Sequence, residues 1–350
     1  MKGLGPLERA GLAAVGIVLC CMVLTMARVP MASVDGRTLW GLHARLIHDT
    51  GRYPAPELLD PAFRIPHPQY PPLLPLLQAG ALALLPGEPA LRALPWLFYL
   101  AIFGVLLHEL PRRDPQRGRL LALAYALLPT LVLSEEGGAD AGVADTVLAA
   151  FVLGTALALD AGRPALAGIL AAASALTKNE GLVLGPLLLA TGYWRCGDGK
   201  RAGAVLRAVA VFAALVMPWL LLRQVIPAGF DELYASRLTP EQVMSGASRA
   251  PALALEMARV TFLHPQRSGL FWWMVVFLAA LAPSVRRLWL DGRLVTLPAF
   301  FAFVLLLYVV SPAPGVSQVQ LSFERLLLQV APLALLALAT AAHSTGTHIE

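Results

Sequence analysis

Lysine, asparagine and cysteine are nearly missing from this sequence of 350 residues. Lys2, Lys178 and Lys200 are the only lysines among 27 basic residues, Asn179 is the one asparagine, and three cysteines are present. Set beside the abundance of Ala, Leu and Arg, this scarcity reads as a genomic base bias. Ordinary arginines and alanines are therefore weak signals, and the retained pair Lys178-Asn179 is a stronger one. Cys20 and Cys21 are adjacent in an apolar run and Cys196 lies in a basic loop, an arrangement that excludes a disulfide framework. Charge is scarce as well: 14% of residues are charged and 57% hydrophobic, with a mean hydropathy of +0.67, which excludes a soluble domain of this length. The net charge of +5 is scattered over short loops without a basic stripe or interleaved aromatics, so nucleic acid is excluded as a partner.

The sequence does contain long apolar runs, of roughly the 17 to 20 residues that a helix needs to cross a bilayer. They lie near 11–29, 73–86, 93–110, 120–133, 141–160, 164–177, 181–194, 205–225, 269–285, 294–311 and 325–341. The first follows Lys2 and Arg9 but ends without a small-x-small cleavage site near Val29-Pro30-Met31, so it reads as a retained span. If 73–86 also spanned, the arginine-rich loops at 112–119, 195–207 and 286–293 would all fall outside, against the positive-inside rule. This short run, with Pro71, Pro72 and Pro75 at its start, is therefore expected to be interfacial. The expected fold is an all-α polytopic membrane protein of about ten transmembrane helices with both ends in the cytoplasm, and with interfacial helices in its first extracytoplasmic loop. It reads as one integral domain, 1–350, whose long outer loops occupy about 30–92 and 226–268. No internal repeat or low-complexity segment is visible.

The outer face collects the polar residues. Asp35 precedes a stretch in which Leu39, Leu42 and Leu46 recur at helical spacing, as in a helix lying along the membrane. Its carboxylate is expected either to cap that helix or to do chemistry. Further along, Arg64, His67 and Tyr70 sit in a proline-dense approach to the interfacial helix, near the level of lipid phosphates. Taken singly, Arg64 and Tyr70 also fit snorkelling and the aromatic belt. The third outer segment carries Glu135, Glu136, Asp140 and Asp145. Asp145 falls at the mouth of a span, where an ionisable group is costly, although a carboxylate there also complements a helix dipole. Lys178 and Glu180 flank Asn179 between two apolar runs, and Lys is a compact point charge suited to a phosphate. Arg325 is expected at the outer start of the last span, with Gln329 one turn deeper. Phe230, Tyr234, Arg237, Arg249 and His264 of the second long loop are expected to help cover an acceptor.

In order and in common sidedness these pieces resemble the GT-C superfamily of integral membrane glycosyltransferases, in particular its dolichyl-phosphate-mannose-protein mannosyltransferase-like bacterial members. The resemblance is carried by Asp35, Tyr70-Pro71-Pro72-Leu73, Ala144-Asp145, Thr177-Lys178-Asn179-Glu180-Gly181 and Arg325-Leu326-Leu327, and it runs from the first span to the last. It implies inverting transfer of a sugar from a polyprenyl-phosphate donor to an acceptor glycan, lipid or protein, at the periplasmic face of a bacterial inner membrane. Asp35 would take the acceptor proton, Asp145 would orient it, and Lys178, Arg325, Arg64 or His67 would meet the phosphate. Substrate contacts are also expected from Tyr70, Glu136, Asp140, Glu180 and Gln329. Many relatives carry an acid directly after the first-loop Asp, where Gly36 stands here. A divalent cation therefore stays open as a cofactor; His67 with Glu57 or Asp60 is too sparse a set for a metal to be assigned. The alternative is a transporter or flippase of a lipid-linked or anionic substrate, which would show inverted repeats and charges near mid-membrane. A non-catalytic scaffold is a third reading.

Overall fold

The computed structural model describes residues 4–63, 66–194, 199–229, 237–281, 292–311 and 315–343, and among these it is all-helical, without a β-strand. Arg64, Phe230 and Tyr234 lie outside the described residues. The main helices are α1 (Pro6–Arg28), α2 (Gly41–Thr50), α3 (Leu73–Leu84), α4 (Glu88–Arg113), α5 (Gly118–Ala126), α6 (Pro129–Leu133), α7 (Asp145–Asp160), α8 (Pro164–Thr177), α9 (Gly181–Trp194) and α10 (Gly199–Arg223). They are followed by α11 (Pro240–Gly246), α12 (Ala250–Phe262), α13 (Phe271–Ala280), α14 (Gly292–Val310) and α15 (Gly315–His343). Among the described residues, four stretches are long and apolar enough to cross a membrane: Pro6–Arg28, Glu88–Arg113, Ala202–Arg223 and Gly315–Ala341. Several shorter apolar helices, such as Pro164–Thr177 and Gly181–Gly192, accompany them.

The last helix, α15, is the axis of the fold. It packs against α4, α7, α12 and α14, and Val330 to Ala339 are all buried. The polar side chains that open it find partners on neighbouring segments, Gln318 with Ser311, Gln320 with Glu256, Ser322 with Tyr308 and Glu324 with Arg267, and this accounts for a departure from expectation. The apolar run began at 325, yet the helix begins ten residues earlier, at Gly315, through Gln318, Gln320, Ser322 and Glu324. Arg325 consequently lies well inside the helix, not at its start. The 120–133 run likewise breaks at Pro129, which cannot donate to the preceding turn. Within the segment 226–268, expected as a long outer loop, α12 buries Leu253, Met257 and Val260 against α15 and α14 and belongs to the core.

The first loop folds as a unit on this frame. A π-helical turn over Gly36–Trp40 leads into α2, which packs on α3, as the interfacial pattern requires. Pro95 inside α4 removes the N–H that would serve the carbonyl of Leu91. Gln78 of α3 donates its Nε2 to that oxygen at 2.8 Å and to the carbonyl of Gly142 at 3.1 Å, so the freed acceptor stays satisfied. Arg92, also on α4, is buried and donates to the carbonyls of Val29 and Asp140 and to the Asp140 carboxylate, each at 2.7 Å. The exit of α1, the first loop and the segment before α7 are thereby held to one another.

Candidate active site

The site forms where α7 begins, α8 ends and α15 passes. Asp145 is the first residue of α7 and is fully buried. Lys178 is the extended cap that ends α8, and the chain turns so tightly behind it that a Cβ on Gly181 would stand 2.0 Å from the carbonyl of Ser174. Arg325 and Gln329, four residues apart, share one face of α15. These three side chains converge on Asp145. Lys178 Nζ and Gln329 Nε2 donate to Oδ1 at 2.9 and 2.8 Å, and Arg325 Nε donates to Oδ2 at 2.9 Å. Lys178 also pairs with Glu180 at 3.1 Å. Such a cluster satisfies a carboxylate that burial alone would make expensive.

Arg325 carries the network outward, because its Nη1 donates to Oδ2 of Asp35. Asp35 has helical backbone angles and makes no side-chain cap, so the capping alternative does not describe its side chain. Its carboxylate faces a cavity of about 370 Å³ together with Lys178, Glu180 and Arg325. Asp145 and Gln329 do not reach that cavity; they position Arg325 and Lys178 from behind. Trp40, His67 and Tyr70 form an aromatic wall, with His67 stacked on Tyr70 at 4.4 Å and Tyr70 tilted against Trp40 at 5.4 Å. The rest of the lining includes the apolar side chains of Leu182, Val183, Phe303, Val304 and Leu307.

Two expected substrate contacts lie elsewhere. Glu136 accepts from Ser33 Oγ at 2.9 Å and from the Val34 amide at 2.7 Å, and Asp140 is held by Arg92; neither lines the cavity. Both fix the short segment that presents Asp35, a role their carboxylates fulfil by accepting hydrogen bonds from neighbours. Gly36 has a physical reason to be glycine, since a Cβ there would meet the carbonyl of Ala141 at 2.2 Å. No side chain, an acid included, can be seated at this position without displacing that backbone. The described residues also bring no three His, Cys, Asp or Glu side chains together as metal ligands, so they do not fit a resident cation and no step is routed through one.

Several polar lining residues escaped the sequence reading, among them Tyr308, Gln318, Ser322 and Arg223. Arg223, at the end of α10, lies over the ring of Trp219 at 5.5 Å and donates from Nε to Gln69 Oε1 at 3.2 Å, while Gln69 donates to the carbonyl of Ile226 at 2.7 Å. Among the described residues it faces no carboxylate partner. Its only sequence signal was a basic residue ending an apolar run, which reads as snorkelling.

His43 of α2 anchors the loop from beneath. It is buried and donates Nε2–H to the carbonyl of Pro66 at 3.2 Å. Burial pushes its imidazole down to about 4, the hydrogen bond opposes that shift, and the neighbouring His67 adds to it. The folded loop therefore prefers the neutral ring. The associated stability is complete above the ordinary value of 6.5 and is lost as pH falls from there towards 4, by about 3 kcal/mol in all. Protection factors over residues 41–50, taken relative to the intrinsic exchange rate at each pH, should fall through that interval in the wild type. The His43→Gln variant, which keeps a donor and has no proton to gain, should show a flat profile.

Comparison with protein-family models, with curated proteins and with solved structures finds no match for this chain.

Proposed function

We propose that the protein is an inverting membrane glycosyltransferase, which moves a sugar from a polyprenyl-phosphate donor to an acceptor hydroxyl of a glycan, lipid or protein. The single observation that carries this reading is a partly exposed carboxylate, Asp35, hydrogen-bonded to a cation on a cavity that is lined by further cations and by apolar side chains. A phosphate, a sugar and a prenyl chain make matching demands on charge, polarity and apolar surface. In the reaction the acceptor oxygen bonds to the anomeric carbon as the carbon–oxygen bond to phosphate breaks, and the acceptor proton passes to Asp35. The departing polyprenyl phosphate takes the bonding pair and gains charge. Lys178 has three N–H donors and two carboxylate partners, and Arg325 has five donors of which two are committed, so both retain capacity for that oxygen. Arg223 lies on the same cavity as a further cation for the phosphate.

The same reading takes the shorter apolar helices as completing ten spans, with both ends in the cytoplasm and the cavity facing outward from a bacterial inner membrane. Its support is the placing of the arginine-rich loops at 112–119, 195–207 and 286–293. The test is transfer of radiolabelled sugar from a panel of polyprenyl-phosphate donors into membrane extracts, comparing wild type with Lys178→Ala at matched amounts of folded protein. Wild type should incorporate label, and Lys178→Ala should lower kcat by about a hundredfold, as loss of a preorganised charge does. Absence of label from every donor would move the reading to transport.

A further inference from the structure

The turn between α8 and α9 brings a further side chain to the cavity, and it belongs to the one asparagine of the sequence. Asparagine before a helix ordinarily caps it, its Oδ1 accepting from the backbone two or three residues on. Asn179 does not. The N–H of Leu182 goes to the Asn179 carbonyl at 3.0 Å and the N–H of Gly181 to the Lys178 carbonyl at 2.9 Å, so the turn is closed by backbone alone. Asn179 Oδ1 is buried without a partner, and Nδ2 bonds to no described residue. Gln78 and Gln329 also leave an oxygen unpaired, yet each donates from Nε2, whereas the Asn179 amide is idle at both ends. A polar group in that state costs stability and calls for a reason outside the fold. With the oxygen buried, the nitrogen and its two hydrogens are the end that the cavity reaches.

We infer that Asn179 donates from Nδ2 to a non-bridging oxygen of the donor's phosphate, as the neutral partner of Lys178; the inference rests on the glycosyltransferase reading above. The bound donor is a phosphodiester with one negative charge. When the bond from its oxygen to the anomeric carbon breaks, that oxygen keeps the bonding pair and the phosphate departs as a monoester with a second charge to spread over its oxygens. Lys178 has a single N–H to offer, because Asp145 and Glu180 hold the other two. Asn179, the next residue along and on the same cavity, has two free. A hydrogen bond to a more highly charged oxygen is stronger, so this contact favours the transition state over the bound donor and acts on the rate of transfer.

The experiment compares wild type with Asn179→Ala and Asn179→Asp at matched amounts of folded protein. The substrates are the preferred polyprenyl-phosphate sugar, its monodeoxy sugar analogues, and each of its phosphorothioate diastereomers, in which sulfur replaces one non-bridging oxygen and accepts hydrogen bonds poorly. Asn179→Ala should lower kcat by about a hundredfold with little change in the KM of the donor, as loss of one donor to a developing oxyanion does. It should unfold at or above the wild-type midpoint, because the side chain holds nothing in the fold. Asn179→Asp should be slower still, since an isosteric carboxylate then faces the leaving phosphate. Sulfur in one diastereomer should slow wild type and slow Asn179→Ala much less, the contact that it weakens being already gone. A wild-type rate in Asn179→Ala overturns the inference. So does a sulfur effect of equal size in wild type and variant, which marks a structural role, or a loss that vanishes on a deoxy analogue, which assigns the amide to the sugar. No transfer from any donor by wild type removes the glycosyltransferase reading and this inference with it, whereas with an active wild type the variants decide the inference alone.

Discussion

Asp35→Asn should reduce sugar transfer by about 10² to 10⁴-fold while leaving the protein folded. The substitution is close to isosteric, and an amide oxygen can still accept from Arg325, so the geometry around the guanidinium is kept. What is lost is the ability to take a proton from the acceptor as the new bond forms. Asp35 is 41% exposed, and its pair with Arg325 is screened enough that its removal should move stability by less than about 1 kcal/mol. The measurement is initial rate against donor and acceptor concentration at matched folded protein. A fall in kcat with near-constant KM for the donor fits a group that acts in the transition state. Full activity in this variant would sink Asp35 as the base and with it the mechanism written above.

Asp145→Ala should have the larger effect on stability, about 3 to 5 kcal/mol, because it takes their fully buried partner from Arg325 and Lys178 and leaves them only the more accessible Asp35 and Glu180. Asp145 is fully buried and accepts from three side chains, so solvent offers no substitute partner. Thermal unfolding in detergent should show a sharply lowered midpoint, and any residual folded protein should be inactive because Arg325 no longer has a fixed place. A companion variant separates charge from packing. Replacing Asp145, Lys178 and Arg325 together by Leu, Met and Met should recover much of the stability and none of the transfer, since a well-packed apolar set often equals a buried ion network. If Asp145→Ala unfolds at the wild-type midpoint, the buried cluster is not what holds α7, α8 and α15 in register.

The outlines of both fold and site are visible in the residues, though unevenly. Apolar runs reveal helices because each needs only a local count, and ionisable groups beside them stand out because such groups are costly in lipid; that is how Asp145, Lys178 and Arg325 draw notice. Their meeting on one carboxylate is not visible, since it depends on packing among helices far apart in sequence. The first ten residues of α15 stay hidden because Gln318, Ser322 and Glu324 look like loop when their partners are unseen. Glu136 and Asp140 look like substrate ligands for the converse reason: an acid on an outer segment shows its charge, while the Ser33, Val34 and Arg92 groups that occupy it come from elsewhere. Arg223 and Arg92 are lost among the other arginines of a chain that uses little lysine.

The contact between Arg325 and Asp35 joins residues 290 positions apart. At about 5 to 20 residues per second, a ribosome takes roughly 15 to 60 s to make the chain between them. Throughout that time the segment bearing Asp35 is already made, without the arginine that will orient it and without the helix that will complete its cavity. A half-synthesised or stalled chain thus lacks one wall of this cavity, and the site is complete only once α15 has packed onto the helices made before it.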